Sequence, residues 1–187
     1  MKYKFLTILS FIIGFSIINH IMADDLFTPY YYAGGSIGFA NTKWDYAGFN
    51  STGFAFGAYG GYQFNHYFAA EGQFTHFSKS TKSGKDAVKT NAIAAFLKGS
   101  IGLGQTKFKL FSKIGLGNVF NSGYSSKSHF GLAFAYGIDW RISKNLTAEA
   151  AYTHYIGKYS DNPSDSVPNV DYYSVGLAYT FTKNLFA

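Results

Sequence analysis

The sequence predicts an all-β fold, a closed eight-stranded antiparallel transmembrane β-barrel that follows a cleaved signal peptide. Three observations lead to this fold class. The N-terminus has the layout of an export signal, the rest of the chain alternates large apolar with small or polar residues, and no second apolar run is long enough for a membrane-spanning helix. Aromatic residues make up 20% of the chain and charged residues only 14%, which is too apolar for an ordinary water-soluble surface.

The start of the chain reads as a secretory signal peptide over residues 1–23. Two lysines supply the charged start, residues 5–18 form an apolar run too short to span a bilayer comfortably, and Ala23 is the small residue at the cut. We therefore expect a mature barrel domain over residues 24–187, the alternative being a retained N-terminal anchor helix. Cleavage removes the two lysines and lowers the formal charge from +6 to +4. Cysteine is absent, so no disulfide stabilises this exported domain.

Alternation with a period of two is clearest in residues 130–142. Because neighbouring side chains of a strand point to opposite faces, one face of this segment is large and apolar and the other is small or charged. A water-soluble barrel would need the large face inside. With the large face toward lipid, the small residues fit a narrow interior, and this is the orientation that we predict. The large set is Phe130, Leu132, Phe134, Tyr136, Ile138, Trp140 and Ile142, and the small or charged set is Gly131, Ala133, Ala135, Gly137, Asp139 and Arg141.

Eight segments show this alternation, each about as long as a tilted strand needs to be to cross the hydrocarbon layer. We predict strands at 30–40, 53–64, 67–77, 90–102, 107–119, 129–142, 145–156 and 172–182. The connections then alternate between short turns at 65–66, 103–106 and 143–144 and long loops at 41–52, 78–89, 120–128 and 157–171. This alternation is typical of outer-membrane barrels, and an even strand number places both termini on the periplasmic side. An open sheet edge cannot be solvated inside a bilayer, so the first and last strands should pair.

The chain also contains an internal repeat, in which residues 53–77 resemble residues 131–155 at a constant offset of 78. Each unit is one predicted hairpin, so strands two and three correspond to strands six and seven. A shared alternating pattern explains part of the similarity, whereas the paired Glu and the paired Thr-His go beyond it. The identical positions are Gly53/Gly131, Ala55/Ala133, Phe56/Phe134, Ala70/Ala148, Glu71/Glu149, Thr75/Thr153 and His76/His154.

Three stretches resemble a known family. Residues 137–152 look like the strand–turn–strand signature of the OmpA-like and OmpX-like small outer membrane barrels, and residues 32–38 and 173–181 are similar to the family's opening and closing strands. The resemblance covers essentially the whole mature chain. It implies an integral protein of the Gram-negative outer membrane, with a structural role in envelope integrity and slow porin-like permeation as an accompanying activity. It also implies an aromatic signal for the barrel assembly machinery, here at Tyr179 and Phe181.

Further expectations about partners follow from this resemblance. The partners would be outer-membrane lipids, lipopolysaccharide and the assembly machinery, and the protein would be a monomer. The sequence contains no metal-ligand cluster, phosphate-binding loop or nucleic-acid motif, so we expect no cofactor and no nucleic-acid partner.

Charged residues are predicted inside the barrel, where they must be paired or solvated. OmpA-like barrels carry a comparable network, so the resemblance supports a polar plug. Two interpretations remain open: a structural plug that fixes strand register, and a gate whose rearrangement admits water or ions. The predicted interior set balances three acids against three bases and consists of Glu71, Lys98, Lys113, Asp139, Arg141 and Glu149.

The predicted loop at 78–89 carries four lysines, which suggests a contact surface for phosphates of lipopolysaccharide or for an acidic host polymer. The other interpretation is a solvated loop without a ligand. A surface adhesin or ligand-binding barrel that acts through its loops is therefore the alternative to a structural role. The lysines concerned are Lys79, Lys82, Lys85 and Lys89.

Catalysis is not expected. His76 and Ser78 resemble the catalytic pair of lipid A deacylases, which are also eight-stranded barrels, so a lipid A-modifying hydrolase is the weakest alternative. A working hydrolase also needs an acid to orient the His, and the nearest inward acid, Glu71, points to the opposite face of the strand. In addition, Lys79 stands where the deacylase motif has Asn.

Overall fold

The computed structural model of the protein describes residues 27–43, 51–82, 85–122, 127–158 and 167–181, and the predicted signal peptide lies outside these ranges. The chain forms eight β-strands: β1 Tyr30–Lys43, β2 Ser51–Gln63, β3 Phe68–Lys82, β4 Lys85–Gly102, β5 Phe108–Ser122, β6 Lys127–Arg141, β7 Leu146–Tyr155 and β8 Asn169–Phe181. Consecutive strands pair antiparallel.

The sheet closes on itself, because β1 also pairs with β8. Their ladder runs from Tyr31 opposite Phe181 to Lys43 opposite Asn169. The predicted fold class, a closed eight-stranded antiparallel barrel, is confirmed. Within the ranges given above, no helix is long and apolar enough to cross a bilayer.

The predicted orientation of the two faces is also confirmed. In β6, Phe130 and Leu132 are 63% and 54% exposed, whereas Ala133 and Ala135 are 1% and 2% exposed. The large apolar side chains therefore form the outer surface of the barrel, and the alternate positions fill its interior. An apolar exterior of this kind is stable only against lipid.

Three short connections define one end of the barrel, which we call the turn side. At the first, the Asn65 side chain accepts hydrogen bonds from the backbone N–H groups of Tyr67 and Phe68, both at 2.9 Å. At the second, Gly104 has a φ of 59°, a left-handed conformation that glycine adopts without steric cost. At the third, Ser143 Oγ accepts a hydrogen bond from the backbone N–H of Leu146 at 3.2 Å. The opposite end is called the loop side.

On the loop side the strands run further than predicted. β3 and β4 continue to Lys82 and from Lys85, so most of the predicted loop 78–89 is a two-stranded extension whose register becomes irregular after Phe77. The predicted loop 120–128 shrinks in the same way to 123–126. The prediction of long loops at these two places is therefore wrong. These segments are polar and lack an apolar face, but the backbone ladder of a hairpin does not require one.

The interior accommodates aromatic rings by placing glycine beside them. Tyr59 lies directly opposite Gly34 in the ladder, and Tyr32 lies opposite Gly61. A Cβ added at Gly34 would lie 2.7 Å from Tyr59 Cζ, and one added at Gly61 would lie 2.6 Å from Tyr32 Cζ. These glycines are thus required by the packing of the interior, since any side chain there would collide with a ring.

Candidate functional site

A cluster of charged side chains from opposite walls fills the turn-side half of the interior. Lys113 Nζ lies 2.8 Å from Glu71 Oε1 and 3.1 Å from Glu149 Oε1. Lys98 Nζ lies 3.0 Å from Glu149 Oε2. None of these four residues is more than 8% exposed. Because charges at such depth are stable only when they are paired, each carboxylate here holds an ammonium group and each ammonium group holds a carboxylate.

Asp139 completes this group, which we call the charge cluster (Glu71, Lys98, Lys113, Asp139 and Glu149). Asp139 Oδ2 lies 2.9 Å from Lys98 Nζ, whereas its Oδ1 is buried and has no hydrogen-bond partner within the part of the chain that the structure describes. The charge cluster therefore contains three carboxylates and two ammonium groups.

Arg141 does not join the charge cluster, contrary to the sequence prediction. It is exposed and lines a cavity of about 260 Å³ at the turn-side mouth, together with Lys109 and Asp139. The reason is its position as the last residue of β6, where the barrel opens and a guanidinium group can remain hydrated. The predicted balance of three acids and three bases inside the barrel is therefore wrong.

Aromatic rings surround the charge cluster. The Tyr32 hydroxyl donates a hydrogen bond of 2.8 Å to Glu71 Oε2. Lys98 Nζ lies 4.1 Å from the ring centroid of Phe111, and Lys113 Nζ lies 4.8 Å from the same centroid. Contacts of this kind between a cation and a ring face strengthen when water is excluded. Both ammonium groups are thus held by carboxylates and by an aromatic face.

A second barrier lies on the loop side of the charge cluster and consists of Phe77, Tyr155 and Tyr172, which we call the aromatic layer. All three are at most 1% exposed. The ring centroid of Phe77 lies 6.0 Å from that of Tyr155 and 6.1 Å from that of Tyr172, with edge-to-face geometry. The two hydroxyls are satisfied within the barrel, since Thr75 Oγ1 lies 3.1 Å from the Tyr155 hydroxyl and Ser36 Oγ lies 3.1 Å from the Tyr172 hydroxyl.

The internal repeat places its equivalent residues face to face across the interior. Glu71 and Glu149 both contact Lys113, and Phe77 contacts Tyr155, its equivalent at the offset of 78. The two hairpins therefore contribute matching halves to the charge cluster and to the aromatic layer.

A polar cluster that the sequence analysis missed lies on the outer surface near the loop side. Asp171 Oδ2 lies 2.7 Å from Lys43 Nζ, and Asp171 Oδ1 lies 2.6 Å from both the Tyr152 hydroxyl and His154 Nδ1. The side chain of Asp171 is only 6% exposed although it lies on the outward face of β8. These contacts join β1, β7 and β8 from outside the barrel.

His76, the repeat equivalent of His154, has a similar arrangement on the other side of the barrel. Its Nδ1 lies 2.6 Å from Asn91 Oδ1 on the neighbouring strand. The Ser78 hydroxyl donates to the backbone carbonyl of Phe54. The two side chains of the deacylase-like pair are thus bonded to Asn91 and to a backbone oxygen, so this geometry gives no activated serine.

The other residues singled out in the sequence lie at the two ends of the barrel. Lys89 is exposed in β4, whereas the side chains of Lys79, Lys82 and Lys85 lie outside the described residues. Tyr179 is 52% exposed, faces outward near the turn-side end of β8, and its ring centroid lies 5.3 Å from that of Phe181.

The inward aromatic residues were also missed, because the prediction assigned the interior to small and charged residues. Tyr59 carried the clearest signal. It is the single large side chain in the inward-facing set from Gly53 to Gln63 of β2, which otherwise contains only Gly, Ala and Gln. A bulky residue in a set of small ones indicates that a neighbouring strand must supply room, and Gly34 of β1 supplies it.

The closed sheet, its apolar exterior and its packed polar interior define the protein as a small membrane-spanning β-barrel. The family model for the outer membrane protein beta-barrel domain matches residues 10–181, and the chain belongs to this family. It is therefore an outer membrane β-barrel protein with eight transmembrane strands.

Solved structures with the same fold include three small barrels. Neisserial surface protein A has a TM-score of 0.65 and 19% identity, with 81% of this chain and 97% of that chain covered. Ail of Yersinia pestis, in complex with the heparin analogue sucrose octasulfate, has a TM-score of 0.54 and 19% identity over 81% and 99% of the two chains. The N-terminal barrel of Pseudomonas aeruginosa OprF has a TM-score of 0.53 and 11% identity over 79% and 97%. No curated protein matched the sequence.

Proposed function

We propose that this protein is a structural barrel of the outer membrane whose interior is closed to solutes, so that it contributes to the integrity of the envelope rather than to transport. The observation that carries the proposal is the pair of barriers in series, the charge cluster and the aromatic layer. A solute that crosses the barrel would have to displace both.

The charge cluster resists opening because each of its ions depends on its partners. Separating Lys113 from Glu71 and Glu149 would leave buried charges without compensation, at a cost of several kcal/mol. The cavity beside the cluster has a volume of only about 50 Å³. This is room for only a few water molecules, since about 10–15 Å³ of such space is needed for each. Eight strands enclose an interior that side chains fill, which supports a plug over a channel.

We infer that the turn side faces the periplasm and the loop side faces the exterior. Outer-membrane barrels have short periplasmic turns and longer extracellular excursions of the chain. On the turn side the strands are joined directly at the end of the apolar exterior, whereas on the loop side the chain continues past it, as polar extensions of β3 and β4 and as the connections 44–50 and 156–168. In this orientation residues 27–29 and Phe181 lie on the periplasmic side, where Phe181 and Tyr179 would be accessible to the assembly machinery.

Binding of lipopolysaccharide or of a host ligand through the loops stays a prediction from the sequence. Ail of similar fold is solved with a heparin analogue, but its 19% identity carries only the fold to this chain. Hydrolysis of lipid A is not part of the proposal, since His76 and Ser78 bond to other groups.

Planar-bilayer recording of the refolded protein tests the closed interior. We expect no discrete openings from the natural sequence. The triple variant Glu71→Ala, Lys113→Ala, Phe77→Ala removes one acid, one base and one ring, so it trims both barriers without changing the formal charge, and we expect it to conduct. Phe74→Ala, an outward-facing neighbour on the same strand, is the matched control and should remain silent. Regular openings of the natural protein would refute the proposal.

A further inference from the structure

The outer surface of the barrel carries a depression of about 610 Å³, which we call the external groove. Its floor consists of small residues on three neighbouring strands, and larger apolar side chains rise around it. The floor residues are Ala58 and Gly60 of β2, Gly72 of β3 and Ala95 of β4. The lining continues over Leu116 and Asn118 of β5 to Phe130 of β6, so the groove runs across five neighbouring strands, and its floor of small residues is two strand spacings, or about 10 Å, wide.

The fold itself does not require glycine in this floor. A Cβ added at Gly72 would meet nothing closer than the Gly60 carbonyl oxygen at 4.0 Å, and one added at Gly60 would lie 3.5 Å from the Tyr32 carbonyl oxygen. The inward Gly61 differs, because a Cβ there would lie 2.5 Å from the Tyr32 hydroxyl oxygen. Larger side chains would fit the barrel wall at Gly72, so its small size leaves room for something outside the chain.

An unpartnered hydrogen-bond acceptor lies at the loop-side end of the external groove. Asn118 Oδ1 faces outward, is buried, and has no hydrogen-bond partner among the residues that the structure describes. It lies opposite Ile93 in the ladder, and Asn91 and His76 lie one step further toward the loop side. A group in the groove that satisfies Asn118 Oδ1 must donate a hydrogen bond, because an amide oxygen only accepts.

We propose that the external groove binds one acyl chain of a lipid that carries a hydroxyl or amide N–H donor where the chain joins its headgroup. An N-acylated glycolipid with hydroxyacyl chains has this chemistry, whereas a diester phospholipid has only acceptors at that position. A second copy of the chain does not suit the groove, because the wall of another barrel is convex, whereas the floor of small residues is only two strand spacings wide. The proposal depends on the inferred orientation only for the leaflet from which the lipid comes.

Native mass spectrometry of the intact protein in a mild detergent provides the test. The probes are a hydroxyacylated, N-acylated glucosamine disaccharide lipid and dioleoyl phosphatidylcholine, which has no hydrogen-bond donor, each titrated separately. We expect one tightly held glycolipid per barrel and a preference of about tenfold over the phospholipid, the effect of one net hydrogen bond in an apolar site. Gly72→Leu should abolish retention, and Asn118→Leu should remove the preference while the chain still binds.

The internal repeat supplies the matched control. Ala150 occupies the position equivalent to Gly72 and is exposed on the outer surface, so Ala150→Leu should leave lipid retention unchanged. Ala95→Leu fills the external groove from the adjacent strand if Gly72→Leu does not fold. Equal retention of both lipids, or full retention by the folded filled variants, would overturn the proposal. So would a cross-linked dimer of the natural protein that Gly72→Leu abolishes, since the occupant would then be a second copy.

Discussion

Lys113 holds two carboxylates that come from opposite walls of the barrel. Its Nζ lies within 3.1 Å of both Glu71 and Glu149, and the residue is 3% exposed. Lys98 also holds two carboxylates, Asp139 and Glu149, but it lies nearer to the turn-side mouth, where Arg141 is exposed. Lys113 is therefore the position at which loss of one charge affects the interior most.

We predict that Lys113→Met destabilises the folded barrel by about 3–5 kcal/mol, because two buried carboxylates lose their common partner. The midpoint of urea unfolding in detergent, followed by tryptophan fluorescence, measures the effect. Lys107→Met, at an exposed site on the turn side, is the control and should change the free energy of unfolding by less than about 0.5 kcal/mol. Adding Glu71→Gln to Lys113→Met should recover part of the loss, and an unchanged midpoint for Lys113→Met would contradict this account of the charge cluster.

At the scale of single residues, the sequence predicted which face a side chain points to more reliably than which residues it contacts. Strand parity was enough to turn Glu71, Lys98 and Lys113 inward, since side chains alternate strictly. Strand parity does not predict the residue at which a strand ends, so the hydrated position of Arg141 at the end of β6 was missed. Nor did parity show that Tyr59 and Gly34 lie opposite each other, because that depends on the register between strands, which turns and packing determine.

Among the strands, β1 and β8 form the seam that closes the sheet. Two kinds of contact hold it: the backbone ladder from Tyr31 to Lys43, and the ion pair of 2.7 Å between Lys43 and Asp171 on the outer surface. Asp171 is also bonded to Tyr152 and His154 of β7, so one carboxylate connects three strands. The seam is thus reinforced near the loop side, where the apolar exterior ends.

Cysteine pairs test the register of this seam, and the natural sequence offers no cysteine that would interfere. Ile37 and Val175 lie opposite each other and are both exposed on the outer surface. We expect Ile37→Cys with Val175→Cys to form a disulfide on mild oxidation, visible as a shift in electrophoretic mobility. Ile37→Cys with Tyr179→Cys is the control, because a displacement of four residues separates the two sites by about 13 Å along the strand. Cross-linking of the control pair alone would show a different register.

The strands were predictable where they face lipid, because there large outward residues alternate with small inward ones. They were less predictable outside the apolar exterior. The centres of all eight strands follow from the large outward residues, whereas β3 and β4 extend through polar segments that carry no such pattern. Backbone hydrogen bonds alone continue these hairpins, and such bonds leave no alternating side-chain pattern from which the strands could be predicted. The lengths of the loop-side connections were therefore the weakest part of the prediction.

For the whole molecule, the inferred orientation assigns each end of the barrel to one side of the membrane. Lys89 and Lys144 are both exposed, the first on the loop side and the second in a turn between β6 and β7. They provide sites for chemical labelling that touch neither the charge cluster nor the aromatic layer.

We predict that a membrane-impermeant maleimide labels Lys89→Cys in intact cells and does not label Lys144→Cys until the outer membrane is opened. Gel shift with a polyethylene glycol maleimide measures both reactions on the same cells. Equal labelling of the two variants after lysis is the control for reactivity. Labelling of Lys144→Cys alone in intact cells would reverse the orientation.

Closure of the sheet by its first and last strands has a consequence for biogenesis. β1 cannot complete its second ladder until Phe181 has been synthesised and exported, so every shorter nascent chain exposes an unpaired edge. Contacts between strands so distant in sequence form slowly, because the intervening chain must first lose its freedom. A premature stop within β8 would therefore leave a polypeptide with an unpaired edge that the cell must chaperone or degrade. The barrel can close only after its final strand has been exported.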